Sequence, residues 1–340
     1  MNLEADLDRI TSQFDFSSLI NKRLFLTGGT GFFGRWLLAL FSYINSKNKN
    51  KYLYVNVLSR DPNRFLANHP HYNNVNWLTF TLGDIRSFDW FKESCGSFDL
   101  MIHAAADTTS AYQSDGWRIF DDINLGSRRV IEFARCNGIK RTLLVSSGAV
   151  YGIQPSSCER VPENAQWACN PLLSTSAYGE GKRVMELLGA LATRDGNPCI
   201  VARCFAFVGS GLPLDGHFAI GNFIRDALYR PEIIINGDGR AIRSYLYAAD
   251  LAVWLLVLLM SGTAGTAYNV GSDAPISIRD LAFRVRNLLA PKKPVLIRGQ
   301  PNIYPPSHYI PDISYARTLG LALWTDIDTA ILNTAKSIAC

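Results

Sequence analysis

The sequence of 340 residues lacks a long apolar segment and a basic cluster. Its longest apolar run, residues 251–260, is too short to span a bilayer, so we expect a buried helix there and no membrane partner. The net charge is +5, and the basic residues are scattered without interleaved aromatic residues, which disfavours nucleic-acid binding. Residues 1–20 lack the basic start and apolar middle of a signal peptide.

Paired cysteines are also absent. The seven cysteines, at positions 95, 136, 158, 169, 199, 204 and 340, form no C-x-x-C pair and no Cys/His ligand spacing. Such a dispersed, odd count is typical of reduced thiols, so we expect a cytoplasmic protein with no metal site. Apolar residues make up 48% of the chain and charged residues 19%, which is ordinary for a globular protein with a large core.

Strand-like and helical patterns alternate from residue 22 to about residue 208. This alternation predicts an α/β Rossmann-type domain, a doubly wound parallel sheet with helices on both faces. Strands are predicted at 24–27, 52–59, 77–82, 100–104, 142–146 and 199–203, and helices at 34–46, 121–137 and 176–194. Ligands of such sheets bind at the carboxyl ends of the strands, so functional residues should directly follow the strands.

The pattern changes after about residue 209, where proline, glycine and aromatic residues become frequent. We interpret residues 209–340 as a smaller mixed α/β substrate-binding lobe, part of which returns to the sheet. Its predicted helices are 218–229, 249–259 and 278–289, and its predicted strands are 233–236, 266–270 and 295–298. Residues 1–21 are interpreted as an N-terminal extension, with a helix lying on the surface.

A glycine-rich turn follows the first predicted strand. Gly28, Gly31 and Gly34 are spaced three apart and lead into an apolar helical pattern. In such a turn the first glycine suits the tight bend, the second removes a side chain where a pyrophosphate approaches, and the third lets the helix pack on the strand. The start of the helix offers N–H groups and a dipole to phosphate. The strand–turn–helix context favours dinucleotide binding, although the spacing differs from the usual G-x-G-x-x-G.

Tyr178 and Lys182 are four residues apart on a predicted helix and therefore share one face. An ammonium favours a nearby phenolate, so we expect Lys182 to lower the pKa of Tyr178 below its ordinary value of about 10. Tyr178 then exchanges a proton with a substrate hydroxyl or carbonyl, and Lys182 reaches the nicotinamide ribose. Ser147 follows the fifth predicted strand and can hold the same substrate oxygen. Each residue alone is commonplace, and only the combination favours catalysis.

These motifs come in the order of the extended short-chain dehydrogenases/reductases, and the chain resembles their nucleotide-sugar epimerase/dehydratase branch from about residue 22 to its last residues. The resemblance implies that Ser147 and Tyr178 are catalytic and that Lys182 orients the cofactor ribose. In a bound nicotinamide dinucleotide, the glycines contact the pyrophosphate, residues 84–85 flank the adenine and residues 104–105 line the nicotinamide. The implied cofactor set is Gly28, Thr30, Gly31, Phe32, Phe33, Gly34, Asp84, Ile85, Ala104, Ala105 and Ala106, together with Lys182.

The resemblance also implies residues on the substrate side. Asn124 matches a helix asparagine that supports the active site, and Arg243 matches an arginine that clamps the diphosphate of a nucleotide sugar. A guanidinium suits that task because its fork is bidentate and always charged, although a surface ion pair is the alternative for Arg243. Ala206 stands where many relatives carry an asparagine, and His217 and Asn222 are candidate replacements.

The second predicted strand ends in Ser59 and Arg60. An NAD site usually has an acidic residue at the position of Ser59, which binds the ribose 2′-hydroxyl. Because that acid is missing and Arg60 could meet a 2′-phosphate, the sequence favours NADP, with NAD as the alternative if Arg60 only stacks on the adenine.

Gly148 and Ala149 follow Ser147, where 4,6-dehydratases of the family carry acidic residues. Neither residue can move a proton, so dehydration is disfavoured unless Glu180 or His217 substitutes. Epimerisation by transient oxidation of a sugar hydroxyl needs no further acid or base, and it is the function predicted first. The alternatives are an NADPH-dependent reductase of a 4-keto nucleotide sugar and, less favoured, a non-catalytic NADP-binding regulator. Two helices, 121–137 and 176–194, could form a homodimer interface.

Overall fold

The computed structural model describes residues 3–48, 51–88, 97–106, 115–216, 218–301 and 303–339. The strands in these ranges are β1 Arg23–Thr27, β2 Tyr54–Ser59, β3 Leu78–Leu82, β4 Leu100–His103, β5 Arg141–Ser147, β6 Cys199–Cys204, β7 Phe207–Val208, β8 Ile233–Ile235, β9 Ile242–Arg243, β10 Leu246–Tyr247, β11 Ala267–Val270, β12 Ile276–Ser277, β13 Val295–Ile297 and β14 His308–Tyr309. The helices are α1 Leu3–Thr11, α2 Phe32–Ser46, α3 Pro62–Asn68, α4 Gly116–Cys136, α5 Ala177–Arg194, α6 Ala219–Tyr229, α7 Ala248–Ser261, α8 Ile278–Leu289, α9 Ser314–Arg317 and α10 Ile327–Ala339.

Seven strands form one parallel sheet in the order β11-β6-β5-β4-β1-β2-β3. The strand order reverses between β1 and β4, and a doubly wound sheet opens a crevice at such a switch point. The predicted Rossmann-type α/β fold is therefore confirmed. Because all seven strands run in the same direction, their carboxyl ends lie along one edge of the sheet.

Alternating side chains of β1 cover the two faces of the sheet. Leu24 and Leu26 belong to the core on one face, where α2 and α7 pack against each other. Phe25 points to the other face and packs on Phe133 of α4, with ring centroids 4.6 Å apart. On that face α4 lies against α5. This period of two is expected for a strand that is buried on both sides.

The chain beyond residue 208 contributes to both parts of the fold. β11 pairs with β6 at the edge of the main sheet, and every residue from 251 to 259 in α7 is buried. The remaining strands form small sheets, β10 with β7, β13 with β8, and β9 between β12 and β14. The buried helix expected at residues 251–260 is thus present. None of the described helices combines the length and apolar character needed to cross a membrane.

The N-terminal segment forms a helix, α1, that exposes Asp8 and Arg9 on one face and packs on the fold with the other. Leu7 and Ile10 of α1 are fully buried, and the helix packs against α2 and α7. Arg9 donates to the carbonyl of Trp324 at 2.5 Å and to Thr325 Oγ1 at 2.9 Å, which ties α1 to the chain before α10. Two apolar residues three apart share a helix face, and here that face covers apolar side chains of the neighbouring helices.

Candidate active site

The glycine turn after β1 is shaped by contacts that no side chain would allow. Gly28 has a φ of 73°, and a Cβ there would lie 2.5 Å from the carbonyl of Ala104 and 2.7 Å from the nitrogen of Ala105. A Cβ on Gly34 would overlap the backbone of Gly28 and Gly29. The bend and the close packing of α2 on β1 therefore both require glycine, as the sequence predicts.

Gly31 plays a different part in this turn. A Cβ on Gly31 would have one neighbour within 4 Å, the oxygen of Gly28 at 3.4 Å, so the space above it is open. Gly31 is also the N-cap of α2, and no side chain caps this helix start. An open cradle at an uncapped helix N-terminus fits the pyrophosphate of a dinucleotide. The described residues thus fit a dinucleotide cofactor.

A buried polar chain, which sequence reasoning missed, supports the cradle from behind. The hydroxyl of Thr27 lies 2.8 Å from Nδ1 of His103, and Nε2 of His103 lies 3.1 Å from the hydroxyl of Ser127. The nitrogen of Ala105 also donates to Thr27 at 3.3 Å. Burial, aided by the charge of Lys182, lowers the pKa of His103 to about 3, so the imidazole is neutral. The chain joins β1, β4 and α4 next to Ala105, which the sequence predicts to line the nicotinamide.

The ends of β2 and β3 lie side by side at the part of this edge where the sequence predicts the adenine. Ser59 is buried and accepts from the nitrogen of Asp61 at 3.2 Å, whereas Arg60 is exposed. Hydrogen bonds from Arg86 lower the pKa of Asp84, and the charge of Arg60 lowers it further. The expected adenine-side residues therefore lie together, in a neighbourhood that contains two arginines.

Other members of the expected cofactor set have packing roles in the structure. Phe33 packs edge-on against Phe207 with ring centroids 5.0 Å apart, and Phe32 is its neighbour at 5.8 Å. Ile85 lies against Gly126 of α4, where a Cβ would approach within 3.0 Å of its side chain. Ala104 is half-buried, and Ala106 is exposed. Thr30 is half-buried beside the glycine cradle.

The three expected catalytic residues converge at the end of β5. Lys182 is buried, its Nζ donates to the carbonyl of Val145 at 2.7 Å, and it lies 5.9 Å from the ring centre of Tyr178. Ser147 accepts from the nitrogen of Ala149 at 3.1 Å and is close enough to Tyr178 to favour its phenolate by hydrogen bonding. The ammonium of Lys182 is thus tied to β5, and its contact with the ribose stays a prediction.

The pKa of Tyr178 moves in the direction opposite to that expected from the sequence. Burial raises it to about 12, although the Ser147 hydroxyl acts against this shift. Burial also lowers the pKa of Lys182 to about 8. The loss of hydration therefore dominates the shift, and Lys182 does not offset it. A phenol with a raised pKa keeps its proton at neutral pH.

On the substrate side, Arg243 has no carboxylate partner among the described residues. It donates to the carbonyl of Ser307 at 2.9 Å and to its hydroxyl at 3.2 Å, and burial lowers its pKa. A partly desolvated cation with only neutral partners among the described residues fits an anionic ligand, so diphosphate binding by Arg243 stays a prediction. In the same way, Oδ1 of Asn124 and Oδ1 of Asn222 are buried without a partner among the described residues. His217 lies outside the described residues.

The structure adds Tyr309, which sequence reasoning missed, to the site. Its ring packs on Phe205 with centroids 4.6 Å apart, and a Cβ on Gly148 would lie 2.7 Å from its hydroxyl. Ser147 is near enough to oppose, by hydrogen bonding, the burial that raises the pKa of Tyr309. Glu180, a suggested substitute acid, forms an ion pair with Arg183 at 3.5 Å. No local pattern marks Tyr309, because β14 reaches the site only through the tertiary fold.

A half-buried ion pair links β6 to α5, the helix that carries Tyr178. Arg203 of β6 and Glu186 of α5 pair at 2.7 Å, and Glu186 accepts from the hydroxyl of Ser146 at 2.5 Å. Arg203 also donates to the hydroxyl of Tyr151 at 2.8 Å. These bonds hold residue 146 to the helix that carries Tyr178. In the described part of the chain, no three His, Cys, Asp or Glu side chains gather as metal ligands.

Sequence comparisons agree with this geometry. The model of the NAD dependent epimerase/dehydratase family matches residues 24–271. UDP-glucuronic acid decarboxylase 3 of Arabidopsis thaliana is 27% identical over 303 residues, which cover 87% of this chain and 83% of the relative. UDP-glucuronic acid decarboxylase 1 of Danio rerio is 27% identical over 304 residues, which cover 88% of this chain and 68% of the relative.

Solved structures share the fold. A UDP-glucose 4-epimerase from Thermotoga maritima, solved with UDP-glucose, has a TM-score of 0.77 at 19% identity and covers 93% of this chain and 98% of its own. A dTDP-glucose 4,6-dehydratase double mutant from Streptomyces venezuelae, solved with NAD, has a TM-score of 0.78 at 22% identity and covers 93% and 97%. Because the family model spans more than half of the sequence, the chain belongs to the NAD dependent epimerase/dehydratase family, and the protein is an enzyme of this extended short-chain dehydrogenase/reductase type.

Proposed function

We propose that the protein oxidises a hydroxyl group on the sugar of a nucleoside-diphosphate sugar and then reduces the ketone from its other face, so that the net reaction is epimerisation. The observation that supports this most directly is the convergence of Ser147, Tyr178 and Lys182 on the edge that carries the glycine cradle. Bound NAD or NADP would accept the hydride from the sugar carbon and return it. Gly148 and Ala149 carry no acid, and epimerisation needs none there.

Proton movement then falls to Tyr178 and Ser147. A protonated phenol suits donation to a ketone oxygen, and the pKa of about 12 keeps Tyr178 protonated at neutral pH. In the oxidation direction the sugar hydroxyl must lose its proton to the phenolate form of Tyr178. The ammonium of Lys182 is the nearby positive group that stabilises this form. Lys182 loses its charge above about pH 8, so we expect oxidation to weaken there.

Arg243 and Asn222 supply the substrate side of the proposal. The guanidinium has only neutral partners among the described residues, and the buried Oδ1 of Asn222 has none there. A diphosphate supplies the missing anion for Arg243, and its oxygens match the fork of the guanidinium. The Oδ1 of Asn222 only accepts hydrogen bonds, so it would bind a hydroxyl or an N–H group of the substrate. β9 holds Arg243 beside Tyr309 of β14. One substrate could therefore place its diphosphate at Arg243 and its reacting sugar near Tyr309.

A decarboxylase is the second candidate, because relatives that cover most of the chain are UDP-glucuronic acid decarboxylases. Oxidation of a uronic acid sugar next to the carbon that bears the carboxylate gives a β-keto acid. Such an acid loses carbon dioxide, and the ketone that remains is then reduced. This reaction uses the same hydride transfer and the same phenol, so the catalytic residues alone do not distinguish it from epimerisation.

For the cofactor we propose NADP, with NAD as the alternative. Arg60 is exposed directly after β2, where we expect it to meet a 2′-phosphate, and Ser59 stands where an NAD site usually has an acid. A net reductase that consumes NADPH is therefore the third candidate function. Structural neighbours solved with NAD are the reason to keep the alternative.

We further propose a homodimer through α4 and α5. These helices pack against each other, and their outer surface exposes the large apolar side chains of Leu125, Leu187 and Leu191. An apolar patch across two helices is typical of a subunit interface. Light scattering after size exclusion should give twice the chain mass, and Leu187→Glu should give the monomer mass. A wild-type monomer at micromolar concentration contradicts the proposal.

Three nucleotide sugars separate the candidate functions. Protein is incubated with UDP-glucose, UDP-glucuronic acid or a 4-keto dTDP sugar, each with NAD or NADPH, and the products are followed by NMR. An epimer without net cofactor consumption supports the first function, a pentose with carbon dioxide the second, and stoichiometric NADPH loss the third. Tyr178→Phe should abolish turnover and retain cofactor binding. Unchanged turnover in this variant contradicts the proposed mechanism, and the absence of any turnover in the wild type favours a binding protein.

A further inference from the structure

Ser147 lies in the chain between two buried residues whose hydroxyl groups are hydrogen-bonded. Ser146, directly before it, donates to Oε1 of Glu186 at 2.5 Å. Tyr151, which follows it in the next turn of chain, accepts from Nη1 of Arg203 at 2.8 Å. Arg203 and Glu186 form an ion pair with each other, so both sides of Ser147 are attached to the same pair. The proposed reaction uses Ser147 but gives this pair no part.

The ion pair has a two-pronged geometry. Nη2 of Arg203 lies 2.7 Å from Oε2 of Glu186, and its Nε lies 3.1 Å from Oε1. Both side chains are partly shielded from water, with 16% and 14% of their surface exposed. A bidentate pair of a guanidinium and a carboxylate fixes distance and orientation together. The remaining nitrogen, Nη1, donates to Tyr151 and to the carbonyl of Glu163, the latter at 3.0 Å.

The network continues beyond Tyr151 to distant parts of the chain. The hydroxyl of Tyr151 donates to Oδ1 of Asn269 in β11 at 2.8 Å. Asn269 is fully buried, and its Nδ2 donates to the carbonyls of Val161 at 2.8 Å and Asp312 at 3.0 Å. The Tyr151 hydroxyl therefore donates one hydrogen bond and accepts one, which fixes its rotation.

Glu186 shares a helix face with the two expected catalytic residues of α5. Tyr178, Lys182 and Glu186 are spaced four apart. The Nζ of Lys182 donates to the carbonyl of Val145, and Glu186 accepts from the next residue of β5, Ser146. Two successive residues of the strand are thus bonded to two successive turns of the helix. The distance between the end of β5 and this helix face is therefore set by direct hydrogen bonds.

We propose that Glu186 and Arg203 are positioning residues that set the place of Ser147 relative to the helix that carries Tyr178. This inference rests on the catalytic use of Ser147 and Tyr178 proposed above. With both bonds in place, the chain on either side of the serine is held against α5. Without them the serine hydroxyl leaves the position in which it can hold the substrate oxygen beside the phenol, and turnover slows.

Glu186 also acts on Lys182 through its charge. Burial lowers the pKa of Lys182 to about 8, and the carboxylate of Glu186, one turn further along α5, acts against that shift. Three other titratable groups face Lys182 and carry no charge near pH 7. His103 is neutral, Tyr178 is protonated, and burial holds the pKa of the Cys204 thiol far above neutrality. A variant that removes only the charge of Glu186 should therefore lower the pKa of Lys182 further.

The first test reads Lys182 directly and needs no substrate. Protein labelled with ¹³C at lysine Cε is titrated by NMR as wild type, Glu186→Gln and Tyr151→Phe, with the Lys182 signal assigned from Lys182→Met. We expect a midpoint near pH 8 in the wild type, a lower midpoint in Glu186→Gln, and the wild-type midpoint in Tyr151→Phe, which keeps every charge. Arg203 stays charged throughout the titration. A midpoint that does not move in Glu186→Gln separates this carboxylate from the catalytic ammonium and overturns the proposal.

The second test follows turnover of whichever nucleotide sugar the wild type converts. Ser146→Ala and Tyr151→Phe each remove one hydroxyl and leave the ion pair in place. Each should lower kcat about ten-fold and change KM less than two-fold, because the reacting groups remain but are displaced. Since both bonds act on the same serine, the double variant should lose far less than the product of the two single losses.

Tyr268→Phe is the matched control. Tyr268 is also a buried tyrosine, and its hydroxyl accepts from the nitrogen of Thr263 at 3.0 Å, outside this network, so the variant should keep the wild-type kcat. Wild-type kcat in both Ser146→Ala and Tyr151→Phe overturns the proposal, and so does an equal loss in the control. If the wild type converts no nucleotide sugar, the proposed function fails, and the NMR titration still decides whether Glu186 acts on the ammonium.

Discussion

Three glycines allow the cost of folding to be separated from the cost of binding a dinucleotide. Gly28 combines a φ of 73° with backbone 2.5 Å from its missing Cβ, whereas Gly138 has a φ of 61° and no atom within 4 Å. Gly31 has an ordinary φ of −81° and open space above it. Alanine at position 28 therefore tests backbone strain together with a steric clash, and alanine at 138 tests backbone strain alone. Alanine at 31 tests only the space available for the cofactor.

The expected magnitudes differ among the three variants. Gly138→Ala should lower the free energy of unfolding by about 1 kcal/mol, the cost of a left-handed alanine. Gly28→Ala adds a collision with the backbone of Ala104, and the total should reach about 3 kcal/mol. Gly31→Ala should leave the free energy of unfolding unchanged or raise it by up to about 1 kcal/mol, because alanine narrows the unfolded ensemble. Its methyl group should nevertheless weaken cofactor binding at least ten-fold.

Urea unfolding gives the stabilities, and isothermal titration gives the Kd for NADP and NAD in the same preparations. We expect Gly31→Ala to be stable and weakly binding, Gly138→Ala to be less stable and fully binding, and Gly28→Ala to be impaired in both. Two results would refute the reasoning. One is wild-type affinity in Gly31→Ala, and the other is equal stability of Gly28→Ala and Gly138→Ala.

Three further predictions concern charge. Arg60→Ala should raise the Kd for NADP about ten-fold and leave that for NAD unchanged, as measured by titration against Arg194→Ala, and equal losses for both cofactors would contradict a 2′-phosphate contact. The pKa of His103 is about 3 in the folded chain and about 6.5 in the unfolded chain, so its contribution to the free energy of unfolding is complete above pH 6.5 and falls as pH drops below it. His103→Asn should remove this part of the dependence of the unfolding free energy on pH, as measured by urea unfolding at pH 4–8. Asp250 makes the free energy of unfolding change with pH in the opposite direction. Burial raises its pKa to about 7, so the folded chain keeps a proton that the unfolded chain has lost, and the free energy of unfolding falls as pH rises from about 4 to 7. Asp250→Asn should remove that fall, and parallel stability curves for the variant and the wild type would be evidence against it.

Local sequence predicted most of the secondary structure. The helix predicted at 278–289 has those limits in the structure, and the main strands deviate by at most two residues at either end. Strands that are buried on both faces, such as the one that contains Phe25, can be predicted because they appear in the sequence as continuous apolar runs. The short strands β9, β12 and β14 were not predicted, since two residues carry no periodicity.

The candidate site divides in the same way. The close packing at Gly28 and Gly34, the open space at Gly31 and the proximity of Tyr178 and Lys182 could be predicted, because each depends on spacing within a single turn or a single helix. The loss of hydration around Tyr178, by contrast, depends on residues from distant parts of the chain. The pKa shift expected from Lys182 alone therefore has the wrong sign. Proximity in sequence reveals the attraction between two groups but not the water that the fold removes from them.

By itself the sequence determined the parallel sheet, the glycine cradle and the residues that could move a proton, because each is encoded over a few consecutive positions. Only the tertiary structure decided that the Tyr309 hydroxyl lies over Gly148, that Arg243 has no carboxylate partner among the described residues, and that His103 stays neutral. Those properties arise from contacts between segments far apart in the chain and from the desolvation that accompanies them, and neither is written in any local pattern.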